Sequence, residues 1–367
     1  MRIAIVIHSS VFLLILGPDI AAGGHSFCGV RQTVRRESSE ERALTNDDSR
    51  YPSHFGEVKI PIAFFYDKPL LRKLGSVEHV NKYILTVMKT TQVVYDSPLI
   101  QQFARVTFYV VKIQEATFPE LDHRDGDAYQ FLTGLTSWEG NRGIRQVAIL
   151  LTGVNVGSKA STASDARDAL SLTGLANVAI LCLQPKQAAG IVEARNFNSA
   201  FVLAHEIGHV LSMQHDGDDE LETSECNGEH HIMSPSAGEG KVEFSPCSAI
   251  AFRNHLRRIY DDNRNLVENR GSLFSRCLNQ TSLNEYVVHM DGFQDLRTGP
   301  EAGVMFDADK QCQLSHGKGF RADFAAVSSI CPMIFCTHNF WQVKSHPALP
   351  GTSCATNKKC DARGKCI

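Results

Sequence analysis

Residues His205 to Asp216 read HEIGHVLSMQHD. On a helix, His205 and His209 are four residues apart and project from one face. Glu206 stands beside the first of them, where its carboxylate could reach a metal-bound water. His215 comes six residues after His209, too far along to share that face on one straight helix. The chain therefore has to turn near Ser212 to bring His215 round as a third ligand. Three protein ligands leave the fourth tetrahedral position of a zinc ion open, which separates a catalytic zinc from a structural one. The short HExxH pattern alone arises by chance in helices. The third histidine and the trailing Asp216 fall in register, which makes surface histidines a poor account of the whole stretch.

Working outward, the 367-residue chain has room for one large and one small domain. A hydrophobic content of 43% and a charged content of 21% are ordinary globular values. The net charge of -3 sets up no strong field toward nucleic acid or an acidic membrane surface. Arg2 precedes an apolar run from Ile3 to Leu16, interrupted at His8 to Ser10, and small residues follow from Ala21 to Gly24. The run is too short to span a bilayer, so residues 1–24 read as a signal peptide and no membrane span is expected. Eleven cysteines then suit disulfides formed outside the cytosol, and the odd count leaves at least one without an intrachain partner. Asn279-Gln280-Thr281 is a glycosylation sequon.

Residues 25–55 are polar and charged and read as an exposed, pro-like leader holding Cys28 and the basic pair Arg35-Arg36. A globular domain is expected over 56–280. Val58 to Tyr66 reads as a strand, with Pro61 favouring an edge or strand-start position. Val80 to Tyr95 reads as a helix, Arg105 to Lys112 as a strand, and Ala128 to Trp138 as a helix capped by Asp125 or Asp127. Val147 to Leu151 is wholly apolar, the pattern of a strand buried on both faces. Asn177 to Leu183 reads as a further strand, and Asn198 or Ser199 caps the histidine helix. Ser245-Pro246 starts another helix, with Ile250, His255, Leu256 and Ile259 on its apolar face. Alternating strands and helices predict an α/β domain with a mixed, mostly parallel sheet and helices on both sides. Residues 281–303 read as a linker. Six cysteines fall between Cys312 and Cys366, so 304–367 reads as a disulfide-held module with little core of its own.

These residues support a family resemblance. HEIGHVLSMQHD, followed by His231-Ile232-Met233-Ser234-Pro235, resembles the metzincin zinc proteases, with Met233 as the Met-turn residue beneath the zinc. Asp216 and Phe244 to Ser248 (FSPCS) are similar to the adamalysin, or reprolysin, branch. Val147 to Gly153, Gly174 to Cys182, Phe306 to Leu314 and Gly351 to Cys366 look like ADAMTS proteases and their disintegrin-like, cysteine-rich module, without a thrombospondin repeat. The resemblance implies the disulfides Cys182–Cys277, Cys226–Cys247, Cys312–Cys336, Cys331–Cys360 and Cys354–Cys366. It also implies that Cys28, in the setting FCGV, is a cysteine switch holding a zymogen latent, with a free thiol or an intermolecular pair as the other reading. Where the family often has Gly or Asn, this chain has Ser212; a left-handed backbone there costs a serine about 1 kcal/mol. The family's calcium site is doubtful, because Pro61 and Gln280 stand where acidic ligands are expected.

The expectation is a secreted, monomeric zinc metalloendopeptidase, a hydrolase acting on extracellular or matrix proteins. Neutral His205, His209 and His215 would hold one Zn²⁺, and Glu206 would take a proton from water and pass it to the leaving amine. His230 and His231 are left out of the ligand set, since three ligands are already supplied. The competing expectation is a secreted binding or toxin-like protein acting through the C-terminal module. Intact ligands and Glu206 weigh against it.

Overall fold

The computed structural model describes residues 28–31, 51–122, 126–138, 140, 147–157, 172–179, 181–183, 187–218, 223–236, 240–261, 277–278, 296–326 and 328–367. The readings placed on residues 1–24, Arg35-Arg36 and Asn279 lie outside these.

Six strands form one sheet: β1 (Cys28–Arg31), β2 (Glu57–Tyr66), β3 (Arg105–Glu115), β4 (Val147–Thr152), β5 (Gly174–Asn177) and β6 (Ala189–Glu193), in the order β1-β5-β6-β4-β2-β3. The pairs β2–β3, β2–β4 and β4–β6 are parallel, β5 runs antiparallel to β6, and β1 runs parallel to β5. The period of two along each strand sorts its side chains between two hydrophobic clusters. Val58, Ile60, Ile62 and Phe64 of β2 and Val147, Ile149 and Leu151 of β4 face one cluster. Ala63 and Phe65, with Ala148 and Leu150, face the other. The unbroken apolar run of β4 is thus buried on both faces, as its composition predicted.

Helices cover both faces. α1 (Lys68–Leu74) follows β2, with Asp67 accepting a hydrogen bond from the Leu70 amide. α2 (Val77–Tyr95) starts at the cap Ser76, three residues earlier than expected. A short α3 (Pro98–Gln101) leads into β3. α4 (Ala128–Ser137) covers the second cluster, and Asp127 caps it by accepting from the Tyr129 and Gln130 amides. α5 (Ser199–Val210) lies beside α2 on the first cluster, and α6 (Pro246–Asp261) closes that side. Hydroxyls of α2 reach α5 directly: Tyr95 donates to the Ala204 carbonyl at 3.0 Å and Thr91 to Ala200 at 3.0 Å. These polar groups are buried, and the bonds satisfy them.

Three expectations need correction. Pro61 sits within β2 (Glu57–Tyr66), an interior strand, neither at an edge nor at a strand start. The missing N–H is tolerated because pairing with β4 begins one residue later, at Ile62, and pairing with β3 shifts register between Ile62 and Ala63. Asn177 to Leu183 is not a strand: β5 ends at Asn177, and Ala179 and Cys182 take φ of 57° and 68°. That segment turns to meet the end of α5, its Ala179 amide donating to the His209 carbonyl at 2.9 Å. Ile250 is 44% exposed and does not belong to the buried face of α6, which Ala249, Phe252, His255, Leu256 and Ile259 form.

The C-terminal region holds α7 (Ala302–Met305), α8 (Ala308–His316), a sheet of β7 (Arg321–Ala322), β8 (Phe335–His338) and β9 (Trp341–Lys344), and the pair β10 (Ser353–Ala355) and β11 (Lys358–Lys359). Disulfides Cys312–Cys336, Cys331–Cys360 and Cys354–Cys366 tie it together. It packs on the larger sheet domain. Phe306 meets Phe197 at 4.8 Å between ring centroids, and Lys82 lies over the Phe306 ring. Arg297 holds Asp96 at 2.7 Å and the Val106 carbonyl at 2.6 Å. Among the described residues no helix is long and apolar enough to cross a membrane.

Candidate active site

Residues Ser199 to Val210 form one buried helix, which places His205, Glu206 and His209 one turn apart beneath β5. The helix stops in a left-handed turn. Ser212 has φ of 75°, the Met213 amide donates to the Gly208 carbonyl at 2.9 Å, and the Ser212 amide donates to His209 at 2.9 Å. These are the two bonds of a Schellman motif with Ser212 where glycine is usual. The turn redirects the chain so that His215 comes back over the end of the helix.

There its Nε2 lies 3.2 Å from Nε2 of His205 and 3.2 Å from Nε2 of His209. The opposite ring nitrogens are fixed by carbonyls, which only accept. His205 Nδ1 donates to Ile232 at 2.7 Å and His209 Nδ1 donates to Met213 at 2.8 Å. Both Nε2 lone pairs therefore point at the common centre. Burial first, then the neighbouring imidazoles, keep the cluster neutral. His205 is held well below its usual range, His209 is lowered to about 3 and His215 to about 4, the last by burial. Neutral imidazoles converging from three directions fit a zinc ion. His230 is exposed and does not join the cluster.

The floor is built from Met233 and a glycine. Met233 is fully buried, and a Cβ placed on Gly208 would fall 2.7 Å from its sulfur and 3.2 Å from that of Met213. Gly208 is thus the residue that lets the sulfur approach the helix. Asp216 joins the parts together. Its amide donates to the Met233 carbonyl at 2.9 Å, and its carboxylate accepts from Ser245 at 2.6 Å at the start of α6. Burial raises the Asp216 pKa and the Ser245 bond opposes that rise. The Cys226–Cys247 bridge closes the intervening loop against α6, and Cys182–Cys277 forms beside the end of α5.

Glu206 is buried and faces β5: a Cβ on Gly174 would lie 2.1 Å from its Oε1. Any side chain at Gly174 would displace the carboxylate. Neither Gly174 nor Gly208 was singled out from sequence; a glycine inside a helical or strand pattern was the available signal. The main chain of β1 lies on the edge of β5, with Cys28 in register with Gly174.

The comparisons agree with this arrangement. Residues 57–245 match the model of metallo-peptidase family M12, and residues 302–367 match ADAMTS cysteine-rich domain 2. The chain is 25% identical over 331 residues to "A disintegrin and metalloproteinase with thrombospondin motifs adt-1" of Caenorhabditis elegans, covering 84% of this chain and 21% of that protein. It is 26% identical to "A disintegrin and metalloproteinase with thrombospondin motifs 12" of Mus musculus, covering 92% and 20%. It is also 26% identical to "A disintegrin and metalloproteinase with thrombospondin motifs 3" of Homo sapiens, covering 88% and 25%. The chain thus spans a fifth to a quarter of the length of these curated relatives.

Proposed function

This chain belongs to metallo-peptidase family M12, and from that premise we propose that it is a secreted zinc endopeptidase that cleaves extracellular proteins. The convergence of three neutral Nε2 donors beside a buried carboxylate carries the reading. His205, His209 and His215 would hold the zinc. Zinc bound there supplies Lewis acidity toward water and the scissile carbonyl. The chain's own part is to orient and to move protons. The Ile232 and Met213 carbonyls fix the tautomers of two ligands. Glu206, pressed between α5 and Gly174, takes the proton of the attacking water and delivers it to the leaving amine. Peptide substrates would add to the sheet as a strand along β5, since main-chain pairing accepts any sequence.

That edge also bears on latency. The leader strand β1 occupies it, with Cys28 opposite the glycine that touches Glu206. This supports a zymogen in which residues 28–31 exclude substrate and Cys28 acts as a switch. A Cys28→Ala form that is no more active than the uncleaved parent would sink the switch.

The reading is tested by incubating the purified protein with a general protein substrate. A chelator should abolish cleavage and added zinc should restore it; cleavage indifferent to the chelator would overturn the zinc assignment.

A binding role for the C-terminal module has its own support. Val304, Phe324, Phe340 and Trp341 are large apolar residues that it leaves exposed, Phe340 fully so. Phe340→Ser with Trp341→Ser should slow cleavage of protein substrates while leaving short peptides untouched if this face docks substrate.

A further inference from the structure

Beyond Met233 the chain rises from under the histidine cluster to the surface. Ile232, Met233 and Ser234 are buried, Pro235 is exposed and Ser236 is half-buried. The start of this rise is held by main-chain bonds. Ile232 donates to the Glu243 carbonyl at 2.8 Å, and its own carbonyl accepts from His205. The Met233 carbonyl accepts from Asp216. The Ser234 amide donates to the His231 carbonyl at 3.0 Å, and beyond it side chains hold the turn. Ser234 Oγ donates to the Gly228 carbonyl at 2.5 Å, and the Ser236 amide reaches the same hydroxyl at 3.3 Å.

Into this turn comes Lys241, two residues before the Glu243 that pairs with Ile232. Its ammonium donates to Ser234 Oγ at 2.7 Å, to the Ser236 carbonyl at 2.7 Å and to Ser236 Oγ at 3.0 Å. An ammonium has three N–H donors, and all three are used inside one turn. Charge-assisted bonds of this kind are about twice as strong as neutral ones. A neutral residue of the same shape would leave the Ser236 carbonyl without its partner and take one partner from each hydroxyl, Ser234 keeping the Gly228 carbonyl and the Ser236 amide.

We propose that Lys241 is a positioning residue for substrate selection. It locks Ser234–Ser236, the segment that leads on from Met233 beneath the histidine cluster, an inference that rests on the proteolytic reading above. The lock acts beyond Ile232, whose carbonyl is held without it. Loss of Lys241 therefore loosens selection of substrate side chains while leaving His205 oriented and zinc bound.

The test compares the zinc-loaded full chain with Lys241→Met, which keeps the stem and removes the donors, and with Ser236→Ala, which removes one acceptor. Each is assayed on a peptide panel varied on both sides of the scissile bond. The ratio of kcat/KM between best and worst peptides should fall about tenfold in Lys241→Met, mainly through KM, and by a smaller factor in Ser236→Ala. Zinc content should be unchanged. Hydrogen exchange of the Ser236 amide, which Ser234 Oγ holds, should quicken in Lys241→Met. Undiminished discrimination, or a loss that tracks zinc content, overturns the proposal, as does unchanged exchange. If Lys241→Met fails to fold, Ser236→Ala decides by the same ratio. A parent that cleaves no peptide defeats the proteolytic reading instead, and exchange still decides the lock.

Discussion

The sheet domain buries two clusters, one on each face of β2 and β4, and fills them with aliphatic and aromatic side chains such as Ile60, Phe64, Phe65 and Phe131. The C-terminal module buries one small cluster of eight residues, four of which are the half-cystines Cys312, Cys331, Cys336 and Cys360. A short segment encloses too little apolar surface to offset the entropy of ordering it, so covalent links take the place of core. The larger domain carries its chemistry inside, on a buried helix. The smaller one leaves apolar residues outside, where a partner could reach them. Where they meet, Phe306 and His346 of the module pack on Phe197, two residues before the start of α5.

The largest expected effect separates chemistry from scaffold. Glu206→Gln keeps the shape of a fully buried side chain and should lower kcat by two to four orders of magnitude. The melting temperature should hold or rise, and zinc should stay bound. Activity within tenfold of the parent would remove Glu206 from the mechanism.

Next comes the covalent staple. Removing Cys331–Cys360 with paired alanines should cost the module about 4 kcal/mol, from the loop entropy released in the unfolded chain. Urea unfolding should then show the module melting ahead of the sheet domain. A single coincident transition would mean that the two regions fold as one unit through Phe197 and Arg297.

Acid should act on both regions through buried neutral histidines. Burial lowers His346 of the module to about 4, and His255 of α6 to about 3. A free histidine titrates near 6.5, so the unfolded chain takes up protons first. Stability is therefore full above about pH 6.5 and falls with pH until each folded value is passed. For His346 that amounts to about 3 kcal/mol by pH 4. His346→Phe should flatten the module's acid transition in a pH-dependent melt; an unchanged slope would place the proton uptake elsewhere.

The smallest effect is at the turn that brings in His215. Ser212→Gly should stabilise the sheet domain by about 1 kcal/mol, since only the φ of 75° is relieved, and leave the module's transition where it is. A loss of stability would show that the serine side chain contributes more than its backbone costs.

Much of this was legible in advance because it is local. The spacing of His205 and His209, the caps Asp127 and Ser245, the unbroken apolar run of β4 and the need for a turn near Ser212 all depend on residues within a few positions of each other. Disulfide partners were of another kind. Spacing cannot pair them, and they entered through the resemblance.

Two of the misreadings share one cause, contacts between distant parts of the chain. Composition made Asn177 to Leu183 a strand, but the carbonyls at the end of α5 claim its amides. Pro61 argued for an edge or a strand start, yet it lies within interior strand β2, with β4 pairing just past it. Ile250 is five, six and nine residues from His255, Leu256 and Ile259, so helical spacing itself sets it on the opposite, exposed face. The sequence by itself determined which residues could bind zinc, since ligand type and helical spacing are properties of a short segment. Tertiary structure alone decided how closely Gly174 lets β5 approach Glu206, how Gly208 admits Met233, and where Lys241 fastens the turn beyond it. The two glycine approaches join elements far apart in the chain, which no local pattern encodes, and the Lys241 contacts, though five to seven residues apart, depend on how the turn is folded.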